Sequence, residues 1–214
     1  NNTVKNSSVA GIYLYASMNV IAGNTFLNNG IFAEGPYSNI VENNTVNGRP
    51  LVYLEEESDL VITDAGQVIL IRCENITVEN TTVYVELWET DSSKVMNNIV
   101  GNNYEGIYLY DSHNNLISNN TVENNYYGIS LWYSDNNVIT GNTVKNNYND
   151  GIKLVYSNNT IISGNIMENN YAGIVLGGDN NLISGNIVEN NYFDFEFSGD
   201  NNLILGNTFV NGVY

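Results

Sequence analysis

The sequence has one cysteine, one histidine and only six lysines and arginines in 214 residues. A lone Cys73 excludes an internal disulfide framework and any zinc site built from several thiolates. With one imidazole and three methionines, a histidine- or thioether-built copper or zinc site is close to excluded as well. The few cations face 23 aspartates and glutamates, a formal charge of −17 with no basic stripe. Nucleic acid is therefore a poor partner, since sequence-independent phosphate binding needs clustered Lys and Arg. The same sign opposes adsorption to an anionic membrane surface. No apolar run approaches the roughly 18 residues of a membrane span, and no leader peptide is visible. Charged residues total 14%, where about 25% is usual. Asparagine fills the gap, at roughly a fifth of the chain. Hydrophobic residues at 43% and 16 tyrosines supply a core and argue against simple disorder.

The chain nearly copies itself from Gly106 onward: GIYLYDSHNNLISNNTVENNYY, GISLWYSDNNVITGNTVKNNYND, GIKLVYSNNTIISGNIMENNYA, GIVLGGDNNLISGNIVENNYF. The period, about 20–23 residues, is that of a solenoid. The same unit drifts through the N-terminal half from Gly11 and Gly30, and residues 51–105 carry shorter, irregular versions. About ten units run end to end without a linker, so residues 1–214 read as one domain. Each unit holds two or three short alternating stretches separated by Asn, Gly, Ser and Asp turns, too short for helices. Stacked at roughly 4.8 Å per coil, they predict an all-β, right-handed parallel β-helix, a rod of about 45–50 Å. Both ends fall in mid-unit, which reads as a segment of a longer protein.

Two asparagine columns follow from aligning the units. One holds Asn2, Asn24, Asn44, Asn98, Asn120, Asn142, Asn165, Asn186 and Asn207; the other holds Asn124, Asn146, Asn169, Asn190 and Asn211. Asparagine tolerates left-handed corners, and like side chains one rung apart can bond in a ladder worth about 0.5–1.5 kcal/mol per bond. Apolar columns through Ile107, Leu109, Ile117 and Val122 and their equivalents, among them Ile204, Met167 and Val188, are predicted to line the interior.

The recurring S-x-N-N-x-I-x-G-N-T-V-x-N-N-Y-x-G-I-x-L unit covers essentially the whole chain and resembles the parallel β-helix repeats of the NosD-like, or CASH (carbohydrate-binding and sugar hydrolase), family. The resemblance implies a pectin-lyase-like fold and an extracellular, cell-surface or periplasmic location. Such a family includes accessory proteins of copper enzyme maturation, surface-layer proteins, and polysaccharide lyases, hydrolases and epimerases. The repeat carries no catalytic residue, so none transfers. The Asp-Pro-His-Asp type signature of the related uronan epimerases is absent, as is the ligand supply of a copper handler.

The outward positions of the G-I-x-L-x strand read, coil by coil, Tyr13/Tyr15, Phe32/Glu34, Tyr53/Glu55, Leu70/Arg72, Glu86/Trp88, Tyr108/Tyr110, Ser130/Trp132, Lys153/Val155, Val175/Gly177 and Glu196/Ser198. Aromatic faces that stack on sugar rings, with carboxylates and an arginine for hydroxyls, mark this stripe as the candidate ligand face. Its expected contacts are Tyr53, Glu55, Arg72, Glu86, Trp88, Tyr108, Tyr110 and Trp132. Glu34, Glu55 and Glu86 are the catalytic candidates. Neighbouring coils put Glu34 and Glu55 near a retaining spacing, and two coils put Glu55 and Glu86 near an inverting one. The acidic run Glu55, Glu56, Glu57, Asp59 and Asp64 suits either Ca²⁺ or a solvated loop. His113 reads as a turn residue, Cys73 as a free, unreactive thiol, and Tyr104, Tyr126, Tyr148, Tyr171 and Tyr192 as an axial ring stack. Sequons at Asn6, Asn43, Asn75, Asn80, Asn119 and Asn158 come with the N-N-T repeat.

Three functions remain: an extracellular module binding a polysaccharide or cell-surface glycan, a polysaccharide lyase or hydrolase acting on an acidic or neutral glycan, and a surface-layer spacer that binds nothing small. Unpaired backbone at the ends of the rod also invites end-to-end self-association.

Overall fold

A coil that closes in about 22 residues must turn sharply several times, and three recurring turns of this chain are made by a doublet. The first residue takes a left-handed conformation and faces solvent; the second turns its side chain inward. Asn119, Gly141 and Gly164 (φ 55°, 66° and 62°) precede the inward Asn120, Asn142 and Asn165. Asn124, Asn146 and Asn169 (φ 58°, 56° and 55°) precede Asn125, Asn147 and Asn170 in the same way. A third corner pairs Asn114 and Asn136 with Asn115 and Asn137.

The computed structural model describes residues 1–7, 9–35, 37–82 and 84–210, and among these there is no helix, hence none long and apolar enough to cross a membrane. From Arg49 onward eight coils stack in register. Their long strands, Arg49–Glu55, Gln67–Ile71, Tyr84–Trp88, Glu105–Tyr110, Tyr127–Trp132, Asp150–Val155, Ala172–Gly177 and Phe193–Ser198, form one parallel sheet. Shorter strands form two further sheets, one running from Val61–Ile62 to Leu203–Leu205 and the other from Ile99–Gly101 to Thr208–Val210. Ile107, Leu109, Ile117 and Val122 and their equivalents fill the interior. Ile204 is the exception at 37% exposure, since nothing among the described residues stacks on its coil. The glycine of G-I-x-L is a packing requirement: a Cβ on Gly106 would lie 2.5 Å from the Gly128 carbonyl oxygen of the next coil.

Polar ladders line the corners. The N–H groups of Asn98, Asn120, Asn142, Asn165 and Asn186 each donate to the Oδ1 of the next asparagine, ending at Asn207, at 2.9 to 3.0 Å. Each amide nitrogen also returns a bond to the previous coil, as Asn142 Nδ2 does to the Ile117 carbonyl at 3.0 Å. Two corrections apply. Asn44 does not reach Asn98, whose Oδ1 instead accepts from Thr81. The second predicted column of Asn124, Asn146, Asn169 and Asn190 is the left-handed, solvent-facing member of each doublet, while the ladder runs one residue later through Asn103, Asn125, Asn147, Asn170 and Asn191. Asn211 lies outside the described residues.

Residues 1–46 form a second, shorter stack, whose strands Thr3–Lys5, Thr25–Leu27 and Thr45–Val46 extend the edge of the long sheet. Two coils, paired through Ile12–Leu14 with Ile31–Ala33 and Val20–Ala22 with Ile40–Glu42, carry their own ladder of Asn2, Asn24 and Asn44. A tight turn at Asn47 and Gly48 (φ 51° and 82°) then reverses the chain, so that Thr45 and Val46 pair antiparallel with Pro50 and Arg49. The short stack is thereby laid against the outer surface of the long sheet. Leu14, Phe26, Ile31, Phe32 and Ala33 share an apolar cluster there with Ile69, Ile71, Tyr84, Trp88 and Tyr108. The amide of Gln67 clasps both the N–H and the carbonyl of Ile31.

Candidate functional site

Strand pairing sets which side chains share the outer face. Tyr53, Ile69, Glu86, Tyr108, Ser130, Lys153, Val175 and Glu196 form one row, and Glu55, Ile71, Trp88, Tyr110, Trp132, Val155, Gly177 and Ser198 the next. The predicted Leu70/Arg72 pair is therefore off by one: Leu70 points into the core, and Arg72 occupies a left-handed corner (φ 51°) after the strand.

The predicted contacts divide into three groups. Glu86, Trp88 and Tyr108 lie beneath the short stack, with Glu86 fully buried and Trp88 4% exposed. The outward direction expected of them holds, but the surface they point from is covered. Glu86 Oε2 accepts the Ala33 N–H at 3.0 Å. Its Oε1 is buried without a partner, as are the Tyr84 hydroxyl and the Trp88 indole nitrogen; both lie near the carboxyl but short of hydrogen-bond geometry. Burial pushes Glu86 up to about 8.

Tyr53, Glu55 and Arg72 form a second group at the seam with residues 37 and 38. Arg72 reaches Glu55 at 3.2 Å and Glu56 at 3.0 Å and stacks 3.9 Å over the Tyr37 ring. Glu55 accepts the Ser38 N–H, and the Tyr37 hydroxyl donates to Glu89. Tyr53 is half-buried, which raises it to about 12. Of the acidic run, Asp59 accepts from Asn75 Nδ2 at 2.7 Å and Asp64 lies 3.7 Å from Arg49.

Tyr110 and Trp132 belong to the third group, in a cleft of about 370 Å³ where the short stack ends and the long sheet emerges. Tyr13, Phe32 and Glu34 wall it from the short stack; Glu105, Tyr108, Tyr110, Tyr127, Ser130, Trp132 and Lys153 line it from the long sheet. Ring contacts line the seam: Tyr13 to Phe32 at 4.8 Å within the short stack, Phe32 to Tyr108 at 5.7 Å across it, and Trp88 to Tyr110 at 4.6 Å within the long sheet.

Glu105 is the residue that the sequence did not single out. It stands one position before the G-I-x-L glycine, in register with Tyr127. It is buried, accepts the Ser130 hydroxyl at 2.8 Å, and is pushed up to about 8 by burial, against the opposing pull of that bond and of Lys153. Burial thus favours its neutral form. Lys153 Nζ is 3.0 Å from Asp150 and 5.0 Å over the Tyr127 ring. A second groove, of about 650 Å³, continues along the same face, lined by Val155, Val175, Gly177, Glu196 and Ser198.

The remaining candidates are structural. His113 Nδ1 accepts the Asp135 N–H at 3.0 Å, within a corner row in which Asp91, Asp135 and Asp179 also accept backbone N–H groups. Cys73 is buried, which raises its thiol. Tyr104 and Tyr126 stack at 5.0 Å, Tyr126 and Tyr148 at 5.2 Å, and Tyr171 and Tyr192 at 5.2 Å.

The sequence profile of the family described as periplasmic copper-binding protein (NosD) matches residues 49–214, the whole of the long stack. No curated protein matches the chain. Among solved structures, the periplasmic alginate epimerase AlgG is 18% identical, with a TM-score of 0.59 over 88% of this chain and 50% of its own. DFA-IIIase from Arthrobacter chlorophenolicus, in complex with GF2, is 14% identical, with a TM-score of 0.61 over 89% of this chain and 55% of its own. The A-module of Azotobacter vinelandii mannuronan C-5 epimerase AlgE6 is 13% identical, with a TM-score of 0.56 over 90% and 64%. The chain thus spans about half the length of the first two, and at these identities the likeness is one of fold.

Proposed function

The chain belongs to the NosD family of periplasmic proteins, and from that premise we propose that it is an exported β-helical module that binds carbohydrate in the cleft beside its short stack, without chemistry on the sugar. The observation that carries this reading is the composition of the cleft: Tyr13, Tyr110 and Trp132 offer apolar surfaces, and Glu34 and Lys153 offer groups for hydroxyls. A mostly apolar concavity with a few polar groups is how small-ligand sites are built. The adjoining groove extends the same face along the rod axis, so a glycan chain has a track parallel to the stacking direction. That the fold also carries an alginate epimerase and a mannuronan epimerase is compatible with a polysaccharide on such a face.

The family description names copper, and this chain's donors do not fit it. The His113 ring accepts a backbone N–H and faces Asp111, Cys73 is buried with its thiol against the Ile71 carbonyl, and Met167 is in the core. No three His, Cys, Asp or Glu side chains come together around one ion position among the described residues.

Glycan-array binding tests the proposal. Trp132→Ala and Tyr110→Ala are each expected to weaken the bound glycan about tenfold, roughly 1.4 kcal/mol, while Tyr148→Ala on the solvent-facing stack leaves it unchanged. Equal, weak retention of every glycan by all variants would favour a spacer. A hydrolase or lyase is the second reading, favoured by one feature: burial inside the cleft shifts Glu105 toward its protonated form, the state a general acid needs. New reducing ends or unsaturated sugars, lost in Glu105→Gln, would establish it. Glu86 is sealed under Ala33 and Glu55 is held by Arg72 and Ser38, so neither supports that reading.

A further inference from the structure

The charges around the cleft discriminate among sugars. Its lining contains one cation, Lys153, whose charge is already met by Asp150 at 3.0 Å. Arg49 and Arg72 are paired with Asp64 and with Glu55 and Glu56, and Lys145 with Glu123, all away from the lining. The lining acids are Glu34, exposed on the wall from the short stack, and Glu105, buried among the long strands. A uronate entering the cleft would bring a carboxylate toward the exposed Glu34 with no free cation to receive it, within a chain of net charge −17. An ammonium group meets the opposite conditions. Aromatic faces attract cations, and the site already holds one: Lys153 Nζ sits 5.0 Å over the Tyr127 ring.

We propose that the cleft recognises amine-bearing sugars, the ammonium group of a 2-amino hexose polymer lying between Glu34, Glu105 and the rings of Tyr110 and Trp132. This rests on the carbohydrate reading above and deepens it. Burial in the empty cleft favours the protonated form of Glu105, which avoids a buried negative charge in the absence of ligand. Arrival of the ammonium stabilises the carboxylate, and the Glu105 proton leaves to solvent. The neutral acid thus becomes the counter-ion only when its partner is present.

Titration calorimetry on the full chain at pH 5.5, where the sugar amines are charged, tests this with four probes: a glucosamine hexamer, its N-acetylated counterpart, a mannuronate hexamer and an oligolysine of equal charge. The glucosamine hexamer is expected to bind at least tenfold more tightly than the other three. In buffers of different ionisation enthalpy its binding should release close to one proton. Glu105→Gln should abolish the proton release and most of the preference for the free amine; Glu34→Gln, at an exposed position, should reduce that preference without affecting folding. Equal or tighter binding of the acetylated or mannuronate hexamer would overturn the amine assignment while leaving the carbohydrate reading intact. Oligolysine binding as well as glucosamine would overturn it in favour of non-specific attraction. Failure of every sugar to bind would remove the carbohydrate reading itself.

Discussion

Asn142 and Asn146 are four residues apart and have opposite roles. Asn142 is buried and joins three coils: it accepts the Asn120 N–H, donates its own N–H to Asn165, and bonds the Ile117 carbonyl. Asn142→Ala leaves buried backbone groups without partners and is expected to cost about 2–4 kcal/mol in chemical unfolding. Asn146 faces solvent at φ 56°, so Asn146→Gly should change stability by no more than about 0.5 kcal/mol. In the run V-K-N-N-Y the two asparagines of the doublet are chemically alike, and nothing in the sequence says which turns inward; that choice is made by the corner's backbone. Glu86 and Glu105 define a pH dependence. Burial raises both from an ordinary 4.5 to about 8, so the folded state holds these protons more tightly than the unfolded one. Their contribution is complete below the unfolded value and is lost as pH rises through the folded one. The thermal midpoint should therefore fall between pH 5 and pH 8.5, and Glu86→Gln should flatten part of that slope.

At the scale of elements, the short stack determines what the long sheet can display. Its Ala33 lies over Glu86 with no room to spare, fully buried at the seam. Ala33→Leu is expected to cost about 1–3 kcal/mol by overpacking and to loosen the seam. In a Trp132→Phe background, where Trp88 is the sole indole, acrylamide quenching should rise in this variant. The coils, strands and interior columns were legible because identical side chains recur at a fixed period. The seam was not, since periodicity reports contacts between successive coils and is silent about a stack laid sideways. One clue was present: the outward positions of the covered coil are Ile69 and Ile71, apolar where a free surface would be polar. A one-residue slip toward Leu70 and Arg72 hid it. Glu105 escaped notice because it precedes the motif rather than lying within it.

For the whole molecule, like charge works against the fold. Net charge is −17, and parallel stacking places acids over one another, as with Glu168 opposite Glu189. Screening should relieve this: the thermal midpoint, followed by calorimetry, is expected to rise by a few degrees between about 10 and 200 mM monovalent salt, over which the Debye length shortens from about 30 Å to below 10 Å. A midpoint that falls with salt would mean that pairs such as Lys145 with Glu123 outweigh the repulsion.

The interruptions in the polar ladders bear on how so repetitive a chain finds its alignment. Coils with interchangeable rungs could mesh equally well after skipping one, as a zip does when a tooth is missed. Thr81 in place of asparagine against Asn98, Ser93 against Asn115 and Thr160 against Asn181 give those rungs an identity of their own. A chain closed one rung out would set a short hydroxyl where an amide is required, so these exceptions serve as the numbering that keeps each turn in its place.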